Sequence, residues 1–209
     1  YYATAINELG KNASTASLLR GRAHLKAFYL HQTQEAIDLL NETIDLPNLR
    51  TPFIAECKLE LADVYVFDGQ VWDAALLYGQ VDKDFKNDAI GREAKFRNAR
   101  LSYFMGEFDW AKDQLKVLKA ATSQLISNDA LSLGLLISDN TNMDTTTEAL
   151  LMYSRADLLD FQNKDSLSLV TLDSLLKNFP EHSLTDEVWY KKAMIFKNEG
   201  KYSEAAKYL

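Results

Sequence analysis

Apolar residues recur along this chain at i, i+3, i+4 and i+7, the spacing that places them on one face of an α-helix. The last twenty-four residues, DEVWYKKAMIFKNEGKYSEAAKYL, show it best. Trp189, Ala193 and Phe196 fall on one helical face, Gly200 follows, and Tyr202, Ala205 and Leu209 continue on a second helix. A large apolar residue, then a small one, then an aromatic predict a helix that a neighbour crosses at the small residue. The Gly predicts a turn through positive φ. Two closely packed antiparallel helices are the expected product.

The same pattern recurs upstream. With Gly200 at position 15 of a unit starting at Asp186, Trp189 is at position 4, Ala193 at 8, Phe196 at 11 and Ala205 at 20. A unit starting at Ala55 places Ala62 at 8, Tyr65 at 11, Gly69 at 15, Ala74 at 20 and Tyr78 at 24. One starting at Arg92 places Ala99, Gly106, Ala111 and Leu115 in register, with Ser102 at position 11. One starting at Ala149 places Ala156, Leu159, Leu172 and Pro180 in register, with Asn163 for the Gly and Ser168 for the Ala. Asn tolerates the left-handed turn best after Gly, and Ser is nearly as small as Ala. The weakest unit starts near Ser17, with Ala36 and Leu40 in place and no Gly in its turn, His31 to Gln34. Residues 1–12 read as the second helix of a preceding unit.

This arrangement resembles the tetratricopeptide (TPR) repeat, W-x2-L-G-x2-Y, then A-x3-F, then P. The resemblance implies an all-α, right-handed α-α superhelix, a TPR solenoid of four to five helix pairs with one inserted short helix. We expect a single array over residues 1–209, with repeats starting near 17, 55, 92, 149 and 186. Both ends read as mid-helix, so we expect an excerpt of a longer chain. The step of 57 between the units at 92 and 149 predicts an insertion at about 128–147. There Asn128-Asp129 reads as a helix cap, and Ala130 to Ile137 as an apolar segment for burial. Either an extra helix covering a seam or a hinge or partner-contacting element fits this insertion. Thr51-Pro52 reads as an N-cap with Pro at the first helical position, Thr145-x-x-Glu148 as a capping box, and Ser183 as a further cap.

Composition narrows the function. Three Pro and eight Gly among 209 residues suit long helices, and 47% hydrophobic residues suffice for a core. The net charge of −7 argues against a nucleic-acid partner, which needs a basic face. No apolar run is long enough for membrane insertion. Cys57 is the one cysteine, so no internal disulfide forms; its helical context predicts a buried small side chain.

Candidate chemistry is sparse. His24 and His31 are seven residues apart, two helical turns, whereas chelating pairs sit at i, i+3 or i, i+4. The sequence carries no phosphate loop, GxSxG elbow or HExxH, and GREA (Gly91 to Ala94) reads as a helix start. Asp82 to Asp88 lacks the Gly and closing Glu of a calcium loop. We therefore expect no enzyme, no metal and no cofactor.

In the TPR resemblance, positions 2, 5, 9, 12 and 13 of each first helix face the concave groove. They yield the candidate partner-binding residues Glu56, Asp63, Phe67, Phe96, Arg100, Tyr103, Tyr153, Asp160 and Tyr190, alongside Leu59, Glu93 and Asp157. This surface is aromatic and acidic, and aromatic and Arg side chains are the usual interface anchors. Each ring can equally pack internally. The Lys and Asn of the chaperone-binding carboxylate clamp are absent, since positions 5 and 9 carry Leu59 with Asp63, Phe96 with Arg100, Tyr153 with Asp157 and Tyr190 with Met194. The expected function is a non-catalytic scaffold binding a protein or peptide in the groove. The alternatives are a structural array self-associating through its ends and the recruitment module of a larger enzyme. The stretch KNFPEHSLTDEVWYKKAMIFKNEGKY is similar to linkers of bacterial envelope TPR proteins, which implies bacterial periplasm or cell envelope rather than cytoplasm.

Overall fold

The structure, a computed structural model, describes residues 2–119, 124–141 and 146–209. Every regular element among them is a helix. In chain order these are α1 (Tyr2–Leu9), α2 (Ala16–Phe28), α3 (Thr33–Ile44), α4 (Thr51–Asp68), α5 (Val71–Asp84) and α6 (Ala89–Phe104). Then follow α7 (Phe108–Lys119), α8 (Gln124–Asp139), α9 (Glu148–Phe161), α10 (Asp165–Asn178), α11 (Thr185–Asn198) and α12 (Tyr202–Ala205). The fold is the all-α array of paired, stacked helices expected of a TPR-like sequence. It divides into two compact units, Tyr1–Leu101 with Ala121–Ile126, and Ser102–Ala120 with Ser127–Leu209.

One turn design makes the pairs. At Gly69, Gly106, Asn163 and Gly200 the backbone takes φ of 88°, 78°, 55° and 76°. After each, the next N–H bonds the carbonyl five residues back: Gln70 to Tyr65, Glu107 to Ser102, Lys164 to Leu159 and Lys201 to Phe196, at 2.7–2.9 Å. The left-handed residue itself bonds three back, which completes a Schellman motif and satisfies two orphan carbonyls. Gln70, Lys164 and Lys201 are at once the N-caps of α5, α10 and α12, so the chain reverses with no spare residues. The Gly-free turn of the first repeat solves the problem differently. His31 takes φ 53°, and Gln32 N–H reaches six back to the Lys26 carbonyl.

Small residues occupy the positions where paired helices cross. Ala62 of α4 and Ala74 of α5 are fully buried, as are Ala156 of α9 and Ser168 of α10. The Ser168 hydroxyl donates to the Ala156 carbonyl at 2.8 Å, a distance that requires close backbone approach. Ala99 and Ala111, at the same repeat positions, are each fully buried. Ser102, the polar departure at position 11, is buried and accepts from Gln114 Nε2 at 3.2 Å.

In the first unit, α2 packs on α3, α4 on α5, and α3 and α2 on α4. Its core includes Leu19, Ala23, Ile37, Leu40, Leu61 and Val64, together with Ile6 of α1. In the second unit, α9 packs on α10, α10 on α11, and α11 on α12. Leu115, Leu150, Leu172, Leu175, Leu184 and Ile195 are buried there.

Several local expectations need correction. The N-cap of α4 is Arg50 rather than Thr51, because the Arg50 carbonyl accepts the first helical bond, from Ile54, and Arg50 is itself extended. Ser183 caps nothing; Leu184 is the N-cap of α11, and the Ser183 hydroxyl donates to Asn140 Oδ1 at 2.7 Å. Asn128-Asp129 does not cap a helix. Both lie within continuous α8, outside its buried side, where polar side chains cause no break. The segment from Ala130 to Ile137 is only half buried: Ala130 and Ile137 face inward, while Leu131 and Leu135 face solvent. Thr145 of the expected capping box lies outside the described residues; Thr147 precedes α9.

Candidate functional site

Acidic residues on the first helices of the repeats bind bases on the next first helix. Asp63 of α4, at repeat position 9, accepts from Tyr78 Oη of α5 at 2.5 Å and from Arg97 Nη1 of α6. Arg97 also donates through Nε to Glu93 at 2.7 Å. In the second unit, Asp157 of α9 is again at position 9. It accepts from Tyr103 Oη at 2.7 Å, and Lys191 Nζ of α11 stands 2.9 Å from it and 3.2 Å from Asp160. Both bases occupy position 6 of the following repeat, thirty-four residues beyond their Asp.

Burial pushes the Asp63 carboxyl above the usual carboxylate range; Arg97 and the Tyr78 hydroxyl draw it only partly back. Asp157 shifts the same way, with burial opposed by Lys191. Burial pulls the Lys191 ammonium down, but Asp157 and Asp160 outweigh it and hold it above its ordinary value. Tyr78 and Tyr103 are raised well beyond the usual phenol by burial and by the carboxylates they bond. These hydroxyls stay protonated at neutral pH and act as donors that hold an acid in place. In both arrangements, acid, base and phenol are committed to one another.

The structure separates the residues expected to face a partner. Phe67 is buried against the rings of Phe28 and His31. Tyr103 and Tyr153 are buried too, Tyr153 donating to the Glu187 carbonyl at 3.4 Å. Asp63 and Asp160 are held in the ion pairs described, and the charge of Arg100 acts on Asp63 and Tyr78. Phe96 is partly buried on α6. Tyr190 of α11 is 59% exposed. Glu56 is exposed on α4, paired with Arg20 of α2.

Glu56 opens on a concavity of the first unit, a cleft of about 460 Å³ between α2, α4 and α6. Its apolar surface comes from Leu59, Ala89 and Ile90, joined by Ile126 at the start of α8. Its charged rim carries Arg20, Glu56, Glu60, Glu93 and Arg97. The first helices of three successive repeats thus share one depression. Glu56, Leu59 and Glu93 were legible from their repeat positions. Arg20 and Arg97 carry a signal only in hindsight, as cations on apolar first helices. Ala89 and Ile90 precede the repeat start assigned at Arg92, and Ile126 sits in the inserted helix, where repeat spacing is silent.

The remaining candidates are structural. His24 pairs with Glu60 at 2.7 Å and lies against Phe28. His182 accepts the Leu184 N–H at 3.1 Å, and its carbonyl accepts the Thr185 hydroxyl at 2.7 Å, at the start of α11. Burial pushes the Cys57 thiol up to about 12, so it is inert at neutral pH. Among the described residues, no group of three or more His, Cys, Asp or Glu side chains could hold a metal ion. Among them, too, no helix is long and apolar enough to cross a membrane.

No protein-family model matches the chain, and no curated protein matches it. Among solved structures it is similar to a Podosopora anserina protein, termed a kinesin light chain, with nearly identical TPR-like repeats. The identity is 18% over 95% of this chain and 93% of that one, with a TM-score of 0.47. A point-substituted form of that protein is similar at 18% identity over 93% of this chain and 92% of its own, with a TM-score of 0.45.

Proposed function

We propose that this chain is a non-catalytic scaffold that binds a protein or peptide partner through the cleft between α2, α4 and α6. The cleft itself carries the reading: apolar side chains line it, polar groups rim it, and its volume lies in the range of specific binding sites. The nearby ionisable groups support a binding role over chemistry, because they are committed to one another in ion pairs. The linker around Phe179-Pro180 supports a bacterial envelope setting, which fractionation of the source cells tests.

Selection from a library of short random displayed peptides tests the cleft. Ala89 is exposed at its edge, so Ala89→Trp fills it without disturbing the core. Selected peptides are expected to lose at least about tenfold in affinity against this variant. They are expected to keep it against Trp72→Ala on α5. Binders indifferent to Ala89→Trp would overturn the reading.

A further inference from the structure

We infer that the partner presents an aliphatic side chain flanked by lysine or arginine, an inference that rests on the cleft being the binding site. Leu59, Ala89, Ile90 and Ile126 offer aliphatic surface and no aromatic ring, which suits an aliphatic anchor. The rim decides the flanking charge. Three carboxylates, Glu56, Glu60 and Glu93, stand there against two guanidinium groups.

Both guanidinium groups are already held by the protein. Arg20 is bonded to Glu56 and lies over the Phe53 ring at 5.4 Å, and Arg97 is divided between Glu93 and Asp63. Glu60 faces His24, a cation only when protonated. A carboxylate offers about four lone-pair sites, so each of these acids keeps acceptor capacity after its internal bond. The side chains of Glu56, Glu93 and Glu60 are 47%, 33% and 21% exposed, so a ligand can reach them. A cationic flank finds acceptors here, whereas an acidic flank meets three carboxylates that outnumber the two guanidinium groups, one of which Asp63 also holds. The chain's net charge of −7 favours the same partner at long range.

The composition of the selected peptides tests this. Binders sensitive to Ala89→Trp are expected to be enriched in Leu, Ile or Val beside Lys or Arg. For one such peptide, labelled and titrated by fluorescence anisotropy against the wild-type protein, replacing its basic residues by Gln should weaken binding at least about tenfold, and Glu should weaken it further. Glu60→Gln is expected to weaken the original peptide several-fold, and Asp73→Asn on α5 to leave it unchanged. Cleft-sensitive binders that are acidic, or that tolerate Gln and Glu, overturn this inference while the cleft stands as a binding site. If no binder is sensitive to Ala89→Trp, both fall. The peptide series uses the wild-type protein, so the test survives any loss of folding in a variant.

Discussion

Arg97 donates to Asp63 from thirty-four residues downstream, tying the first helix of one repeat to the first helix of the repeat before it. The side chains are only 24% and 17% exposed, and Arg97 holds Glu93 through its other edge. A planar guanidinium serves both acids at once; an ammonium cannot reproduce that geometry. Arg97→Lys should therefore destabilise the protein by about 1–3 kcal/mol, measured by urea denaturation. In a double-mutant cycle, Asp63→Asn and Arg97→Met should cost less together than the sum of the two alone.

Two glycines should respond to alanine for different reasons. Gly69 has φ 88° and open space around the position of a Cβ. Gly69→Ala should therefore cost about 1–2 kcal/mol, the conformational penalty alone. Gly91 lies within α6, where a Cβ would stand 2.0 Å from the Phe85 carbonyl oxygen. Backbone must move to admit it, so Gly91→Ala should cost more than Gly69→Ala, about 3 kcal/mol or above. Thermal melts of the two variants give the order.

The small-residue positions should discriminate between overfilling and the loss of one hydrogen bond. Ala111 is fully buried, so Ala111→Leu should lose about 1–3 kcal/mol or more by overpacking. Ser168→Ala nearly keeps the volume but removes the bond to the Ala156 carbonyl, and should lose about 0.5–1.5 kcal/mol. The same urea denaturation measures both.

Alkali should unfold the protein through its buried tyrosines. Tyr78, Tyr103 and Tyr153 are raised above the usual phenol by burial first and neighbouring carboxylates second. In the unfolded chain they ionise near pH 10. Above that pH the unfolded state loses protons that the folded state retains, so stability is intact below about pH 10 and falls as pH rises. Phenolate absorbance should show these three of the ten tyrosines titrating only as helix is lost.

Repeat spacing identified the turns at Gly69, Gly106, Asn163 and Gly200 because left-handed backbone admits few residues. It identified the crossing positions because only small side chains fit there. The spacing placed His31 in a turn but did not single it out as the left-handed residue, because non-glycine residues, histidine included, adopt that region in only a small minority of cases. The candidate site was less legible. Helix period assigns Phe67, Tyr103 and Tyr153 to first-helix positions, but neighbouring side chains decide whether such a ring turns into the protein or outward. The pairing of Asp63 with Arg97 and of Asp157 with Lys191 follows a spacing that becomes informative once both partners are known. Ile126 comes from outside the repeat pattern.

Hydrogen exchange measured by mass spectrometry, with and without a selected peptide, reads directly whether the cleft between α2, α4 and α6 is occupied. Binding should slow exchange in residues 56–60 of α4 and 89–97 of α6 and leave α5 unchanged. Protection confined to α5, or none at saturating peptide, would contradict binding in the cleft.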